Sequence, residues 1–513
     1  MTIKKILLII GFWTIGLTYA SAHDWLNETT YRLEGVATAY HGDNTPLWLN
    51  ANRYGMSGLL NKNGYLRAGA FRDMACDSLH KWGIGYGADL AVAHNFTSDF
   101  IVQQTFVEVR WWHAMITAGS KEMPMEMKNQ ELSTGSQLLG INARPVPQVR
   151  LALPEYWTVP LTRGWIALKG HIAYGRLTDS NWQEKFNTSG NKYQKDVIYH
   201  TKAGYLKMGD ESRFPLVVEA GLEMATMFGG KTYNNGKVTK YKSGLKQYFD
   251  ALIPFDDKDD NSLYTAEGDQ SGSLLLNISY QLKGWKVRAY WDHYFNDGSA
   301  MYQLDYDGYG SGANWDKHEK SRYLVYDPKD GLWGLELTLP RNKWVSDVVA
   351  EYLYTKYQSG PIYYDHDEKI SDHIGGVDDY CNHGIYTGWQ HWGMVMGNPL
   401  YLSPVYNRDG SLYIKDNRFV AWHLGFSGNP LRNLHYRVLM TTQKGWGTYS
   451  LPYSDIKKNN CFMAELTYRM PKRMVRWQTD GWSGKIAFGL DHGELLGNNM
   501  GVMVSIAKEG FLH

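Results

Sequence analysis

The sequence predicts an all-β fold, a transmembrane antiparallel barrel of about 18 strands with long extracellular loops, on three observations. Apolar and polar residues alternate over many short runs, and successive side chains of a strand point to opposite faces. Each run therefore has one oily face for hydrocarbon and one wet face for a lumen. Short and long connections between the runs take turns, as they do in barrels with short periplasmic turns and long outer loops. Finally, no stretch of about 18 apolar residues follows residue 22, which excludes helical spans.

Composition agrees with this and narrows the partners. The chain has 53 Lys and Arg against 52 Asp and Glu, so no charge excess argues for nucleic acid. Its 37 Tyr, 20 Trp and 53 Gly suit the aromatic girdles and glycine-bearing strands of a membrane barrel. A mean hydropathy of −0.44 is compatible with strands that are only half apolar. Cys76, Cys381 and Cys461 are too few and too scattered for a disulfide framework or a zinc site.

Along the chain, residues 1–22 read as a secretory signal peptide. Lys4 and Lys5 precede an apolar run from Ile6 to Leu17, and Ala20-Ser21-Ala22 marks the expected cleavage. Residues 23–513 read as a single outer-membrane barrel domain. Residues 121–162 interrupt the meander with Pro124, Pro145, Pro147, Pro154 and Pro160, a spacing that argues against a long helix and a central strand. A plug folded into the lumen or an irregular surface loop would fit.

Strand patterns follow. Leu216, Val218, Ala220, Leu222 and Met224 alternate with Val217, Glu219, Gly221 and Glu223. In "SLLLNISYQLKGWKVRAYW", Leu274, Leu276, Ile278 and Tyr280 share one face, and Trp285, Val287, Ala289 and Trp291 continue it after a Lys-Gly turn. Trp333, Leu335 and Leu337, then Leu466 and Tyr468, then Val502, Val504 and Ile506 repeat the theme. Long connections are expected at about 176–196, 229–270, 296–330, 357–417 and 446–460, with both termini periplasmic. One helix is expected, at 244–252, where Leu245, Tyr248, Phe249 and Leu252 recur at helical spacing.

Residues 363–400 hold the densest polar cluster, including Asp365, His366, Asp367, Glu368, Asp372, His373, Asp378, Asp379, His383 and His391. His and carboxylates suit divalent cations, yet no fixed ligand spacing is present, and a solvated acidic loop accounts for them without a metal. Cys381 near His383 lacks a third orienting group, so no nucleophile is assigned. Asp256, Asp257, Asp259 and Asp260 fit a solvated loop tip better than a glycosidase pair, whose acids face each other about 5–10 Å apart. No G-x-S-x-G elbow or S-x-x-K motif occurs. The chain is thus expected to be no enzyme and to need no cofactor.

"YTGWQHWG" (386–393) is of another kind. Tyr386, Trp389, Gln390, His391 and Trp392 mix flat apolar faces with hydrogen-bonding groups. Sugars present apolar C–H faces ringed by hydroxyls, so these five are candidates for carbohydrate binding. Girdle residues or lumen packing would use the same types.

Several stretches together resemble the Wzi capsule-assembly family, in particular a divergent branch found in Bacteroides-like bacteria. They are "PLWLNANRYG" (46–55), "NGYLRAG" (63–69), "GLEMATMFGG" (221–230), "GLWGLELTLP" (331–340), "YTGWQHWGMVMGNPL" (386–400) and "HLGFSGNP" (423–430). The resemblance implies a barrel in the outer membrane of a Gram-negative bacterium, acting as a lectin that holds capsular or other surface polysaccharide. Better-understood members carry 18 strands and a small helical bundle closing the periplasmic end. Expected partners are the polysaccharide, outer-membrane lipids and the polysaccharide export machinery. A saccharide or solute porin of the outer membrane is the competing expectation, and an enzyme of envelope glycans or lipids a third.

Overall fold

A computed structural model describes residues 28–187, 190–253, 268–296, 330–356, 358, 379–474 and 477–512. The expected signal peptide, the acidic tip at Asp256–Asp260 and the cluster from Asp365 to Asp378 lie outside these residues. Eighteen antiparallel strands close into one barrel, because the first strand pairs with both the second and the last. In chain order they are β1 (Thr29–His41), β2 (Asn63–Arg72), β3 (Trp82–His94), β4 (Phe100–Trp111), β5 (Ala114–Ser120) and β6 (Gln148–Thr158). There follow β7 (Ile166–Arg176), β8 (Ile198–Met208), β9 (Leu216–Phe228), β10 (Asp269–Leu282), β11 (Trp285–Asn296) and β12 (Gly331–Thr338). The last are β13 (Asp347–Tyr354), β14 (Phe419–Leu431), β15 (Leu434–Gly447), β16 (Pro452–Arg469), β17 (Trp482–Gly493) and β18 (Asn499–Phe511). Closure leaves no unpaired strand edge, which a bilayer requires.

The alternation reads out as predicted. Leu276, Ile278, Tyr280, Trp285, Leu335, Val502, Val504 and Ile506 stand exposed on the outer wall, while Leu275, Asn277 and Glu336 are buried inside. Trp82, Trp111, Trp112, Trp165, Trp285, Trp344 and Trp482 are exposed at the end that carries the short turns, forming a girdle there. Trp82 and Trp111 stack across their strands, with ring centroids 6.0 Å apart. Among the described residues no helix is long and apolar enough to cross a membrane. The chain is an outer-membrane barrel.

Two expectations need correction. Residues 446–460 are not a long loop: β15 and β16 run on as a hairpin in which Gly447 faces Pro452. Their polar sequence suits a hairpin arm extending into water, where neither face needs to be apolar. Residues 121–162 also divide. Residues 121–147 turn into the lumen, but 148–158 form barrel strand β6, with Pro154 inside it. The β6–β7 ladder shifts register between Leu153 and Trp157, and a bulge is where a strand tolerates a residue that cannot donate.

Helices α1 (Leu47–Asn50), α2 (Trp182–Phe186) and α3 (Leu245–Leu252) all belong to outer connections. The helix expected at 244–252 is α3. Among the described residues no helical bundle closes the periplasmic end, which instead carries short turns, a 3-10 turn at Met74–Asp77 and a small hairpin at Arg473–Met474 and Trp477–Gln478.

The lumen is filled by three segments that fold inward from the outer end: 42–62, 121–147 and 379–418. The first is pinned where Leu47 N donates to Asp491 and Trp48 Nε1 to Thr441. The second crosses the lumen, and its groups find partners all round the wall. Glu122 accepts from Arg67 of β2 at 2.8 Å, and Lys128 Nζ lies 3.0 Å from Asp292 of β11. Asn129 donates to Glu336 of β12, and Ser133 Oγ and Thr134 N donate to Glu351 of β13. The Leu132 carbonyl accepts from His423 of β14 at 2.8 Å. The third segment lies over the second, where Asn142 donates to Val395 O and Asn398 to Thr134 Oγ1. Leu138, Trp389, Tyr294, Tyr401 and Phe419 are almost wholly buried between them. Buried polar groups on a barrel's inner face must find partners, and the plug supplies them.

Candidate functional site

At the outer end, a cavity of about 270 Å³ opens between the plug and the connections after β1, β3 and β7. Phe96, Trp182, Phe186 and Trp392 give it four aromatic rings, and Asn50, Asn95, Thr97 and Arg144 give it polar groups.

Trp392 reaches the cleft through a tight hairpin. Gln390–His391 pairs with Met394–Val395, leaving Trp392 and Gly393 as a two-residue turn. Both have positive φ, 55° and 77°, as the favoured type I′ hairpin turn requires. Gly393 is doubly constrained, since a Cβ there would sit 2.2 Å from the Trp182 ring. For a bulky residue such as Trp392 the left-handed region is costly, so surrounding contacts must hold it. The Arg144 guanidinium does so, lying 4.3 Å from the ring centroid. α2 supplies the opposite wall, with Trp182 and Phe186 stacked at 4.8 Å.

Arg144 is the unusual group. It is 7% exposed, and its Nη2 donates to Thr97 Oγ1 at 2.9 Å. Among the described residues it makes no ion pair, and its Nε is buried without a partner. Burial alone, with no counter-charge, lowers its pKa to about 10. A guanidinium in this state has unspent capacity for an anionic, hydrogen-bonding ligand.

Of the five residues expected to bind carbohydrate, the structure brings Trp392 to the cleft and places the other four behind it. Trp389 is 1% exposed, stacked on Tyr199, and its indole N–H donates to Leu138 O. Tyr386 donates to Gly229 O, and Gln390 bridges Thr387 and Gly393 N. His391 Nε2 accepts from Thr178 N, so Nδ1–H donates to Arg144 O at 2.9 Å. With their faces and polar atoms spent on the protein, these four pack the plug and offer no open platform. Phe96, Trp182, Phe186 and Arg144 escape a reading of sequence because they come from three connections far apart in the chain. The only hint was a Trp at the start of "WQEKF".

Among the described residues no three His, Cys, Asp or Glu side chains gather as a metal site. Cys381 is buried and its thiol pKa is pushed up by burial, the opposite of an activated nucleophile. His383 Nδ1 accepts from Ile385 N.

His391 ties the stability of the plug behind the cleft to pH. Burial lowers its pKa from 6.5 to about 4. The folded value lies below the unfolded one, so its contribution is complete above about pH 6.5 and is lost as pH falls towards 4. Protonation would also set a donor against Thr178 N. The plug should therefore unfold at progressively lower temperature as pH falls from about 6.5 towards 4, and His391→Gln should flatten the dependence. Parallel pH profiles for wild type and variant would assign the effect to other groups.

No family model matches the chain, and no curated protein matches its sequence. Among solved structures it is similar to Wzi of Escherichia coli, described as an outer-membrane protein involved in group 1 capsule assembly and a carbohydrate-binding β-barrel. The identity is 12% and the TM-score 0.53, over 96% of this chain and 87% of that one. It is also similar to OccK3 (OpdO) of Pseudomonas aeruginosa, at 8% identity and TM-score 0.47 over 96% and 99% of the two chains. OccK5 (OpdH) of the same organism matches at 9% and 0.45, over 94% and 98%. At these identities the likeness is one of fold.

Proposed function

We propose that the protein holds a capsular or other surface polysaccharide at the outer face of the membrane, binding it in this cleft without chemical turnover. The observation that carries the reading is the convergence of four rings and an uncompensated guanidinium at the mouth of a filled lumen. Aromatic faces match the C–H faces of sugars, and adjacent amides and hydroxyls match their hydroxyl groups. Arg144 favours sugars that bear carboxylate or another anion. The carbohydrate binding of Wzi on a similar barrel supports the assignment to polysaccharide and to capsule assembly, with the export machinery supplying the polymer. A saccharide porin is the second reading, favoured by a cavity of about 300 Å³ inside the wall, whose largely apolar lining includes Arg150, Lys169, His171 and Glu223.

Binding of polysaccharide from the producing cell to purified, folded protein tests this. Trp182→Ala and Trp392→Ala should each weaken binding by about 1–3 kcal/mol, roughly ten- to hundredfold. Arg144→Gln should reduce affinity for acidic polymers and spare neutral ones, while Trp389→Ala should lower folded yield instead. Unchanged affinity in both cleft Trp variants, together with sugar-blocked conductance of the wild type in planar bilayers, would move the assignment to the porin.

A further inference from the structure

The loop after β9 carries helix α3 back down the outside of the barrel. There it covers outward-facing side chains of β7, β8 and β9. Tyr174 OH donates to Tyr248 O at 2.6 Å, and the two rings lie 5.1 Å apart. Phe228 meets Tyr248 edge-on at 5.2 Å, and His200 stacks on Tyr174 at 4.2 Å. Lys202 also faces outward, where a bare cation in hydrocarbon is destabilising. Here its Nζ donates to Ala251 O and Leu252 O, at 2.9 and 2.7 Å. A cation against the last carbonyls of a helix is favourably placed. Lys202 pairs in register with Ile172, which is exposed on the lipid-facing wall. The C-terminal end of α3 thus sits at the upper margin of the apolar band.

Helix residues advance by about 100° each, which divides α3 into three sectors. Gln247 and Ala251 are buried on the barrel. Lys246 and Asp250 form the polar edge and pair at 3.9 Å. The third sector is Leu245 and Phe249, with Ile253 just past the end, and these are 81%, 63% and 56% exposed. A helix lying on a soluble surface needs two sectors. One wall, one oil and one water require three.

We infer that α3 lies in the outer leaflet, with Leu245, Phe249 and Ile253 among lipid acyl chains and Lys246 and Asp250 towards the headgroups. Its apolar sector continues the lipid-facing band of β7 and β8, which identifies lipid as the occupant. The geometry is that of an interfacial helix, here seated on a barrel wall.

Nitroxide labels at Leu245→Cys, Phe249→Cys and Lys246→Cys, in a Cys76→Ser background, test this in protein reconstituted into phospholipid bilayers. Cys381 and Cys461 are buried. Labels at 245 and 249 should relax severalfold more with oxygen than with an aqueous nickel chelate, and the label at 246 should show the reverse order. Equal nickel access at 245, 246 and 249 would overturn the proposal. So would spin–spin broadening at 245 and 249 that grows with protein-to-lipid ratio, which would identify a second copy of the chain as the occupant.

Discussion

Lys128→Met should release the plug at a cost of roughly 3–5 kcal/mol, the penalty for stranding one member of a buried ion pair. Lys128 and Asp292 are 1% and 0% exposed in their side chains and lie 3.0 Å apart. Asp292 also accepts from Gln137 N and from Ser273 Oγ, and Lys128 lies 4.7 Å from the Tyr290 ring centroid. Without the ammonium, the carboxylate keeps two hydrogen bonds and loses its counter-charge. The wall has its own ladder of backbone bonds, so it should survive while the plug loosens. Denaturant should then open residues 121–147 to protease, and raise conductance, well before the barrel unfolds. Asp292→Leu added to Lys128→Met should recover most of the loss, because it removes the stranded charge. A single variant whose plug stays protected to the wild-type midpoint would show that the pair holds nothing.

Leu335→Arg should destabilise the barrel in a bilayer by roughly 2–4 kcal/mol. Leu335 is 52% exposed, in mid-strand of β12 between Ala289 and Ala350, and faces hydrocarbon. Glu336, one residue on, is 9% exposed and faces inward. It accepts from Arg288 of β11 and from Asn129 of the plug. Glu336→Gln should therefore cost about 1–3 kcal/mol, the worth of bonds to a charged group. The two losses have different origins. That of Leu335→Arg should shrink when unfolding is measured in detergent micelles, where headgroups and water reach the wall, and that of Glu336→Gln should persist. The opposite pattern would mean a register error of one residue, which would turn every side chain of β12 to the other face.

Much of the barrel is legible from local pattern because each strand is solved locally. Ile278 faces out and Asn277 in for reasons contained within a few residues, and the apolar spacing of 244–252 fixes α3 likewise. The plug is not local. "PLWLNANRYG" carries no period that announces a lumen segment; Leu47 and Trp48 are placed by Asp491 and Thr441. Residues 396–400 carry Met396, Pro399 and Leu400 yet pack as irregular chain, with Gly140 N reaching across to the Met396 carbonyl. Pro154 misleads for the converse reason: a bulge, invisible in sequence, lets a strand carry it. In the site, "YTGWQHWG" stands out by composition, but composition does not tell Trp389, enclosed by Tyr199, from Trp392, which lines a cavity. The other walls of that cavity become neighbours only when the barrel closes.

The reach of the plug also sets the order of events when the chain assembles. Leu47 N meets Asp491 across 444 residues, and the Leu132 carbonyl meets His423 across 291. Closing such loops costs entropy that only a nearly finished wall can offset, so these contacts are slow to arrive. Delivered N-terminus first, residues 42–62 and 121–147 wait without partners while β10 to β18 are laid down. Asn499 of β18 then accepts from Asp43 N and Asn44 N beside the seam where β18 meets β1. Zipping that seam and seating the first plug segment are thus expected to be coupled through Asn499. Contacts of this range are expected to form late, so the interior should set after most of the wall is in place.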